Sequence, residues 1–185
     1  TGSIVIDACA GAGGKTLHLA ALMQNKGEIH SIDIDKYKLR ELEKRAIRAG
    51  VKIVKSQLFQ QGTKVEGHWI EKADYLLIDA PCSGSGVLRR NPDAKWRLSL
   101  HFLEEVQYLQ QHILSEYPKM CKKGGKMLYA TCSIFPDENE RQIEWFLSNT
   151  KIGKEFELIE QHSIYPQDEG FDGFYMALLQ RKPNL

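Results

Sequence analysis

Apolar and polar positions follow two different periods along this chain, and the two periods take turns. Short apolar runs predict strands at residues 4–7, 28–32, 51–55, 75–78, 126–131, 156–160 and 174–180. Segments in which apolar residues recur every three or four positions predict helices at residues 15–23, 36–49 and 99–115, and a further helix that begins at Pro136. Strands and helices therefore alternate over most of the chain.

The helix at residues 36–49 has the clearest boundaries. Leu39, Leu42 and Ala46 share one face, so this face should be buried. Asp35 is placed to cap the first turn, and Gly50 is placed to end the helix in a left-handed conformation.

The later elements are bounded by proline and glycine. Pro118 should kink or end the helix at residues 99–115, and Gly124 with Gly125 should turn the chain into the strand that reaches Thr131. The positions expected to point inward on the two later helices are Leu103, Val106, Leu109 or Gln110, Ile113, Ile143, Phe146 and Leu147.

This alternation predicts an α/β fold with a doubly wound, mostly parallel sheet and helices on both faces. The last two strands have no helix between them, so we expect an antiparallel hairpin at one edge, with an antiparallel C-terminal strand. The layout is that of Rossmann-like methyltransferases that use S-adenosylmethionine, by analogy of fold alone.

Composition narrows the class of protein. The 185 residues, 42% of them hydrophobic, predict a single domain over 1–185. No apolar run approaches the ~18 residues of a membrane span, and no secretory signal opens the chain, so we expect an intracellular protein without a membrane partner. The chain starts at a core strand without an initiator Met, as an excised domain would. Its four cysteines show no Cys-x-x-Cys spacing and its histidines do not cluster, which favours reduced thiols and no metal.

The net charge of +1 gives no global basic field. Locally, residues 89–97 place four cations around Trp96 in a predicted loop, a composition suited to RNA phosphates and a stacked base. The alternative is that residues 89–97 are simply the solvent-exposed start of a helix.

A glycine-rich segment at residues 7–16 joins the first strand to the first helix. A phosphate-binding P-loop would need glycine where Cys9 stands, and a dinucleotide fingerprint starting at Gly11 meets Thr16 where its third glycine belongs. An S-adenosylmethionine loop needs only small residues. Asp33 ends the second strand about 20 residues later, where a carboxylate can accept hydrogen bonds from ribose hydroxyls, although a nicotinamide cofactor predicts the same acid. The predicted cofactor-binding residues are Cys9, Ala10, Gly11, Ala12, Gly13, Gly14, Lys15, Asp33 and Asp79.

Two cysteines carry the candidate chemistry. Cys82, in the segment 79–84, and Cys132, in the segment 131–133, both follow predicted strands and should meet at the carboxyl edge of the sheet together with Asp79. A thiolate is nucleophilic enough to add to a pyrimidine ring without a metal. The pair of thiols indicates covalent catalysis.

Taken together, segments 7–16, 79–86, 131–133 and 170–177 resemble the signature motifs of the Nop/Sun family of RNA cytosine-5 methyltransferases, in order and spacing. The resemblance implies S-adenosylmethionine as cofactor and an rRNA or tRNA substrate with an unpaired or flipped-out cytosine. It also implies a cytoplasmic monomer, nucleolar in a eukaryote, and RNA-binding segments outside this chain.

The same resemblance implies roles for four residues. Cys132 matches the nucleophile that adds to carbon 6 of cytosine, and Asp79 matches the acid at the polar edge of the base. Cys82 matches the cysteine that assists proton removal from carbon 5 and enzyme release. Lys15 lies beside the cofactor loop and within reach of the base.

Two departures from the family pattern stand out. Gly11 and Ala12 replace the usual Ala-Pro of the glycine loop, and residues 56–58 (Ser-Gln-Leu) provide no acid where the family holds the adenine amino group. Two other functions therefore stay open: an RNA-binding assembly factor that has lost turnover, and a nicotinamide-dependent oxidoreductase, which leaves the cysteine motifs unexplained.

Overall fold

The computed structural model describes residues 1–60 and 62–183. Its seven strands are β1 (Ile4–Asp7), β2 (Glu28–Asp33), β3 (Val54–Leu58), β4 (Ala73–Asp79), β5 (Cys121–Thr131), β6 (Phe156–Ile164) and β7 (Phe174–Arg181). Its α-helices are α1 (Gly14–Leu22), α2 (Lys36–Arg48), α3 (Leu100–Glu116), α4 (Glu140–Asn149) and α5 (Pro166–Glu169). Residue 61, in the polar stretch after β3, and residues 184–185 of the predicted domain lie outside the described residues.

The strands form one sheet in the order β3-β2-β1-β4-β5-β7-β6. All neighbouring pairs from β3 to β5 are parallel, and β7 runs antiparallel to both β5 and β6. The predicted doubly wound α/β fold with an antiparallel C-terminal strand is therefore confirmed. Because β7 inserts between β5 and β6, the final hairpin contributes an inner strand as well as the edge strand.

Helices pack on both faces of the sheet, as neighbouring residues of β1 illustrate. Val5 packs with Ala20 and Met23 on the α1 side, whereas Ile6 belongs to the main core that includes Ile113 of α3. A central parallel strand is buried on both faces, which explains why its sequence is a continuous apolar run.

The predicted boundaries of α2 are confirmed. The Asp35 side chain accepts hydrogen bonds from the backbone N–H groups of Tyr37 and Lys38, and Gly50 follows the helix with φ +67°. Leu39, Leu42 and Ala46 are buried.

Two predictions of the strand pattern were wrong. The third strand is Val54–Leu58 instead of 51–55, because the Val51 N–H closes the end of α2 on the Ala46 carbonyl. Gly124 and Gly125 do not form a turn before a strand; they lie inside β5, where a register shift opposite β4 accommodates the positive φ of Gly124.

Other elements differ in detail. The predicted loop at 89–97 contains a 3₁₀ helix at Pro92–Arg97. Pro136 opens a 3₁₀ turn, Pro136–Glu138, before α4 begins. On α3 the inward position is Gln110, which is fully buried, while Leu109 is half-buried.

Candidate active site

The two cysteine loops meet at the carboxyl edge of the sheet. Strands β4 and β5 are paired in parallel, with Asp79 opposite Ala130, so the loops that follow them leave the sheet side by side. The Sγ atoms of Cys82 and Cys132 lie 3.2 Å apart, within hydrogen-bond distance. The structure therefore brings together the two thiols that the sequence places 50 residues apart.

The electrostatics of the four thiols differ sharply. The hydrogen bond from Cys82 lowers the pKa of Cys132 to about 7, against burial and the Asp79 charge, which raise this pKa. The same hydrogen bond raises the pKa of Cys82, and burial adds to the effect. Burial raises the pKa of Cys121 to about 12 and that of Cys9 well above its ordinary value. Near neutral pH a large fraction of Cys132 is thus a thiolate that accepts a hydrogen bond from a protonated Cys82, and such a thiolate can add to an electrophilic carbon.

Lys15 and Asp79 form an ion pair at the same edge. The Lys15 Nζ lies 2.5 Å from Asp79 Oδ2, with 42% and 32% of the two side chains exposed. Lys15 Nζ also lies 5.6 Å from the centre of the Phe174 ring. The pair is half-open to solvent, so both groups are accessible to a ligand entering this edge.

The glycine loop is held by backbone contacts and by two charged side chains. Gly13 has φ +86°, and a Cβ there would lie 2.6 Å from Leu42 Cγ, so this position requires glycine. The Gly11 N–H donates to Asp33 Oδ2 at 2.8 Å, and Arg45 donates to the Ala12 carbonyl at 2.8 Å. Asp33 therefore ties the loop to the end of β2, while each of its oxygens keeps lone-pair capacity for a ligand.

A cavity of about 300 Å³ opens between this loop and the β4 loop. Of the predicted cofactor residues, Cys9, Gly11, Asp33 and Asp79 line it. The lining that the sequence did not single out comprises Ala8, Ile34, Lys38, Gly62, Pro81, Leu109, His112, Ile113 and Tyr117. A carboxylate beside apolar walls is suited to a nucleoside with free ribose hydroxyls.

The other five predicted cofactor residues are outside the lining of the 300 Å³ cavity. Ala10, Ala12 and Gly13 do not line this cavity, and Gly14 with Lys15 lines a larger apolar groove of about 660 Å³ over the opposite side of β1 and β4. Residues 56–58 belong to β3 and also stay outside the 300 Å³ cavity. The acids that do line it are Asp33 and Asp79, which end β2 and β4.

Asp7 sits beneath the glycine loop at the end of β1. It is 1% exposed, and its Oδ2 accepts a hydrogen bond from Thr16 at 2.6 Å. Its Oδ1 is buried and has no hydrogen-bond partner in the described chain. Burial raises the pKa of Asp7 to about 6, against the effect of the Thr16 hydrogen bond.

A buried polar cluster links the two cysteine loops, and the sequence analysis missed it. Its centre is Glu138, which is 0% exposed. Its Oε2 accepts a hydrogen bond from the Ser83 N–H at 2.7 Å, and its Oε1 accepts one from Ser133 Oγ at 2.7 Å. Gln110 joins the cluster, donating to the Pro81 carbonyl at 2.8 Å. Two features of the sequence could have indicated this cluster: the serine that follows each cysteine, and the polar residue Gln110 at an inward position of α3.

Gly86 provides a backbone link between the same loops. Its N–H donates to the Cys132 carbonyl at 2.9 Å, and its own carbonyl accepts from the Gly173 N–H at 2.8 Å. A Cβ on Gly86 would lie 2.1 Å from the Gly173 oxygen. The closing motif at 170–177 is therefore packed against the cysteine loops.

The basic segment 89–97 extends from this link. Trp96 is 79% exposed, and Lys95 Nζ lies 4.9 Å from the centre of its ring. Arg89 donates to the Gly170 carbonyl at 2.8 Å, and Arg90 pairs with Asp172. Trp145 and Trp69, in contrast, pack on or within the core.

The part of the chain that the structure describes offers neither a metal site nor a membrane-spanning helix. Within residues 1–60 and 62–183, the side chains that the structure describes include no group of three or more histidine, cysteine, aspartate or glutamate residues arranged to hold a metal ion. Within the same ranges, none of the helices has the length and apolar character needed to cross a membrane.

Comparison with known proteins gives a family. The family described as "16S rRNA methyltransferase RsmB/F" matches residues 1–180. Ribosomal RNA small subunit methyltransferase B of Shewanella oneidensis is 38% identical over 95% of this chain and 42% of that protein. The probable methyltransferase B of Bacillus subtilis is 34% identical over 96% of this chain and 43% of that protein. The chain thus spans less than half the length of these relatives.

The chain also matches solved structures over almost its whole length. The crystal structure of PH0851 has a TM-score of 0.91 and 38% identity over 97% of this chain and 43% of its own. NSun6 from Pyrococcus horikoshii, solved with SFG, has a TM-score of 0.82 and 30% identity over 98% of this chain and 48% of its own. A methyltransferase of Aquifex aeolicus, at 13% identity and a TM-score of 0.63, shares the fold alone.

Proposed function

The chain belongs to the family of 16S rRNA methyltransferases RsmB/F, and we propose that it transfers a methyl group from S-adenosylmethionine to carbon 5 of a cytosine in RNA, through a covalent bond between Cys132 and the base. The rRNA of the small subunit is the first substrate to test, because the relatives are named for it. The observation that carries the proposal is the pair of thiols 3.2 Å apart, of which only Cys132 has a lowered pKa among the four cysteines described.

The residues of the 300 Å³ cavity fit S-adenosylmethionine. Asp33 would accept hydrogen bonds from the ribose hydroxyls, and Ile34 and Pro81 would provide apolar walls for the adenine. A related structure holds SFG, an S-adenosylmethionine analogue. The cofactor supplies an electrophilic methyl group on a sulfonium; the residues of this chain orient it and activate the base.

The addition step uses Cys132. Its thiolate forms a bond to carbon 6 of the ring, and the electron pair of the 5,6 double bond moves toward nitrogen 3. Asp79 lies at the same edge, where it can hydrogen bond to the polar edge of the base, and Lys15 holds this carboxylate in place at 2.5 Å. Carbon 5 thereby becomes nucleophilic and would take the methyl group, while the S–CH3 bond breaks and the sulfonium becomes a neutral thioether.

The release step uses Cys82. The high pKa of Cys82 arises first from its hydrogen bond to Cys132 and then from burial. Once the Cys132 sulfur is a neutral thioether, the hydrogen bond and the neighbouring charge are lost and the Cys82 pKa falls. Cys82 then loses its proton to solvent, and the resulting thiolate can accept the proton from carbon 5 as the bond between Cys132 and carbon 6 breaks, which restores the aromatic ring and the Cys132 thiolate.

The basic segment 89–97 would contact RNA next to the target base. Trp96 is exposed and can stack on an unpaired base, while Lys95 and Arg97 can contact phosphates. Its link to the cysteine loop through Gly86 places this segment at the rim of the site.

The direct test is product identification. Purified protein is incubated with S-adenosylmethionine and small-subunit rRNA or tRNA, and the digested RNA is analysed by mass spectrometry for 5-methylcytidine. We expect the product in rRNA. Methylation only at another base position would overturn the cytosine assignment.

A second candidate is an RNA-binding assembly factor without turnover. The absence of an acidic side chain from residues 56–58 around the cavity favours it. It predicts RNA binding with weak or absent S-adenosylmethionine binding and no methylated product, so the same incubation separates the two.

A further inference from the structure

Glu138 occupies an unusual position for a carboxylate. It is fully buried, and all its hydrogen-bond donors in the described chain are neutral: the Ser83 N–H, the Ser133 hydroxyl and the Gln110 amide. Burying an acid without a cation is costly, and neutral side chains can fill a core at lower cost. The positions of its two oxygens indicate what a buried carboxylate contributes at this place in the fold.

Each oxygen holds a different cysteine loop. Oε2 binds the residue that follows Cys82, and Oε1 binds the residue that follows Cys132, both at 2.7 Å. The backbone of Glu138 is itself fixed, since its carbonyl accepts a hydrogen bond from the Tyr129 hydroxyl at 2.8 Å. One rigidly held carboxylate thus spans the gap between the two loops.

We propose that Glu138 is a positioning residue: its carboxylate holds the two loops at the separation at which the Cys82 thiol hydrogen bonds to the Cys132 sulfur. Glu138 contacts neither sulfur and acts through the neighbouring serines. The inference rests on the proposed function for its biological meaning. Its test uses a small alkylating agent without RNA or cofactor, so it can fail independently of methyl transfer.

The readout is the pKa of Cys132, measured as the pH dependence of its alkylation by iodoacetamide and followed by mass spectrometry of the Cys132 peptide. Four contributions set this pKa besides burial: the Cys82 hydrogen bond, the Asp79 charge, a hydrogen bond from the Cys132 backbone and the Lys15 charge. Only the Cys82 hydrogen bond depends on the spacing that Glu138 controls. In Glu138→Ala we expect the Cys132 pKa to rise by about 1 or more.

Two further variants test whether Glu138 affects the Cys132 pKa through the Cys82 hydrogen bond. In a Cys82→Ala background, Glu138→Ala should cause no further rise, because the hydrogen bond is already gone. Glu138→Gln should restore most of the low pKa, since its oxygen can accept from Ser83 and its amide can donate to Ser133 Oγ.

A matched control is Asp74→Asn. This carboxylate also accepts a backbone N–H, that of Ile4 at 2.7 Å, but it lies at the amino end of β4, away from the cysteines. It should reduce stability and leave the Cys132 pKa unchanged, which separates positioning from a general loss of packing.

Two results would overturn the proposal: a folded Glu138→Ala protein with an unchanged Cys132 pKa, or an equal rise in the Cys82→Ala background. If Glu138→Ala does not fold, Ser133→Ala replaces it, because this variant removes the Glu138 contact with the Cys132 loop and keeps its contact with the Ser83 N–H. It also removes the contacts of the Ser133 hydroxyl with Ser85 and the Phe135 N–H, so Ser85→Ala is its control. An unchanged pKa in folded Ser133→Ala would also overturn the proposal.

Discussion

The two halves of the carboxyl edge are held in different ways. In the cysteine half, the loops after β4 and β5, buried neutral donors converge on Glu138 and a backbone bridge passes through Gly86. In the cofactor half, the loops after β1 and β2, the ties involve side chains that solvent reaches, such as Asp33 and Arg45.

The proposed function would account for this difference. Reacting groups need a fixed separation, and buried hydrogen bonds supply it without reorganisation during the reaction. A cofactor must enter and leave, which requires polar groups that can exchange partners with water. Substitutions in the two halves should therefore differ in kind.

Cys132→Ala tests the cysteine half most severely. We expect methyl transfer to fall by at least ~10³-fold, because the covalent route is lost. S-adenosylmethionine affinity, measured by calorimetry, should be unchanged, since Cys132 does not line the cavity. Cys121→Ala, at a buried cysteine at the start of β5, is the control and should keep its activity per folded molecule. Activity retained in Cys132→Ala would refute the nucleophile assignment.

Cys82→Ala should trap the reaction. Without a proton acceptor beside carbon 5, turnover should fall by about 10²-fold or more, and a protein–RNA adduct that survives denaturation should accumulate on a gel. Assays run above pH 9 offset the higher Cys132 pKa expected in this variant. A gel without the adduct would argue against the release role.

Gly86→Ala should break the backbone bridge. The new Cβ would meet the Gly173 and Cys132 carbonyl oxygens at 2.1 and 2.8 Å, so we expect a loss of about 3 kcal/mol in the free energy of unfolding, measured in urea. Gly14→Ala is the matched change in the cofactor half, where a Cβ meets nothing within 4 Å. Its effect should stay within ~1 kcal/mol; equal losses would contradict the contrast between the halves.

Asp7→Asn tests the buried acid under the glycine loop. The pKa of Asp7 is raised from 3.8 to about 6, so the folded state keeps a proton that the unfolded state has already released. Folding stability must then fall as pH rises through this window, by roughly 2 kcal/mol. Unfolding measured between pH 4 and 6 should show Asp7→Asn gaining on the wild type as pH rises. Parallel pH curves would exclude the raised pKa.

Asp33→Asn should have the smallest effect, chiefly on the cofactor, although it also removes one of the two backbone N–H contacts of this side chain, with Gly11 or with Asp35. Replacing a charged acceptor by a neutral one should weaken S-adenosylmethionine binding about 10-fold. The nearby Asp35→Ala should instead lose about 1 kcal/mol of stability with the cap of α2, at unchanged affinity. An unaltered affinity in Asp33→Asn would remove the ribose contact from the proposal.

The fold was largely predictable because its information is local. The periods of two and 3.6 residues located all seven strands and the four longer helices, and the resemblance to the Nop/Sun family identified the family correctly. The error at β3 has a local cause as well: Val51 is apolar, but its N–H is used to close α2. The spacing of apolar residues reflects which side chains are buried, but it carries no information about which backbone groups are hydrogen bonded.

The meeting of the thiols was predictable from strand ends, whereas the polar cluster behind them was not. Glu138 follows Pro136 and Asp137, a pattern typical of an exposed helix start. Its burial results from the convergence of two loops with α3, which no window of sequence contains. The alternatives Leu109 and Gln110 were equivalent in period, and only the packing of the helix decided between them.

The place of β7 in the sheet has a consequence for biosynthesis. Strand β5, which leads to Cys132, has β4 on one side and β7 on the other, and β7 follows every other described strand in the sequence. On the ribosome, the earlier strands can assemble, but the inner edge of β5 stays open until residue 181 has left the exit tunnel. The sheet that supports the Cys132 loop is therefore complete only after both cysteine loops have been synthesised.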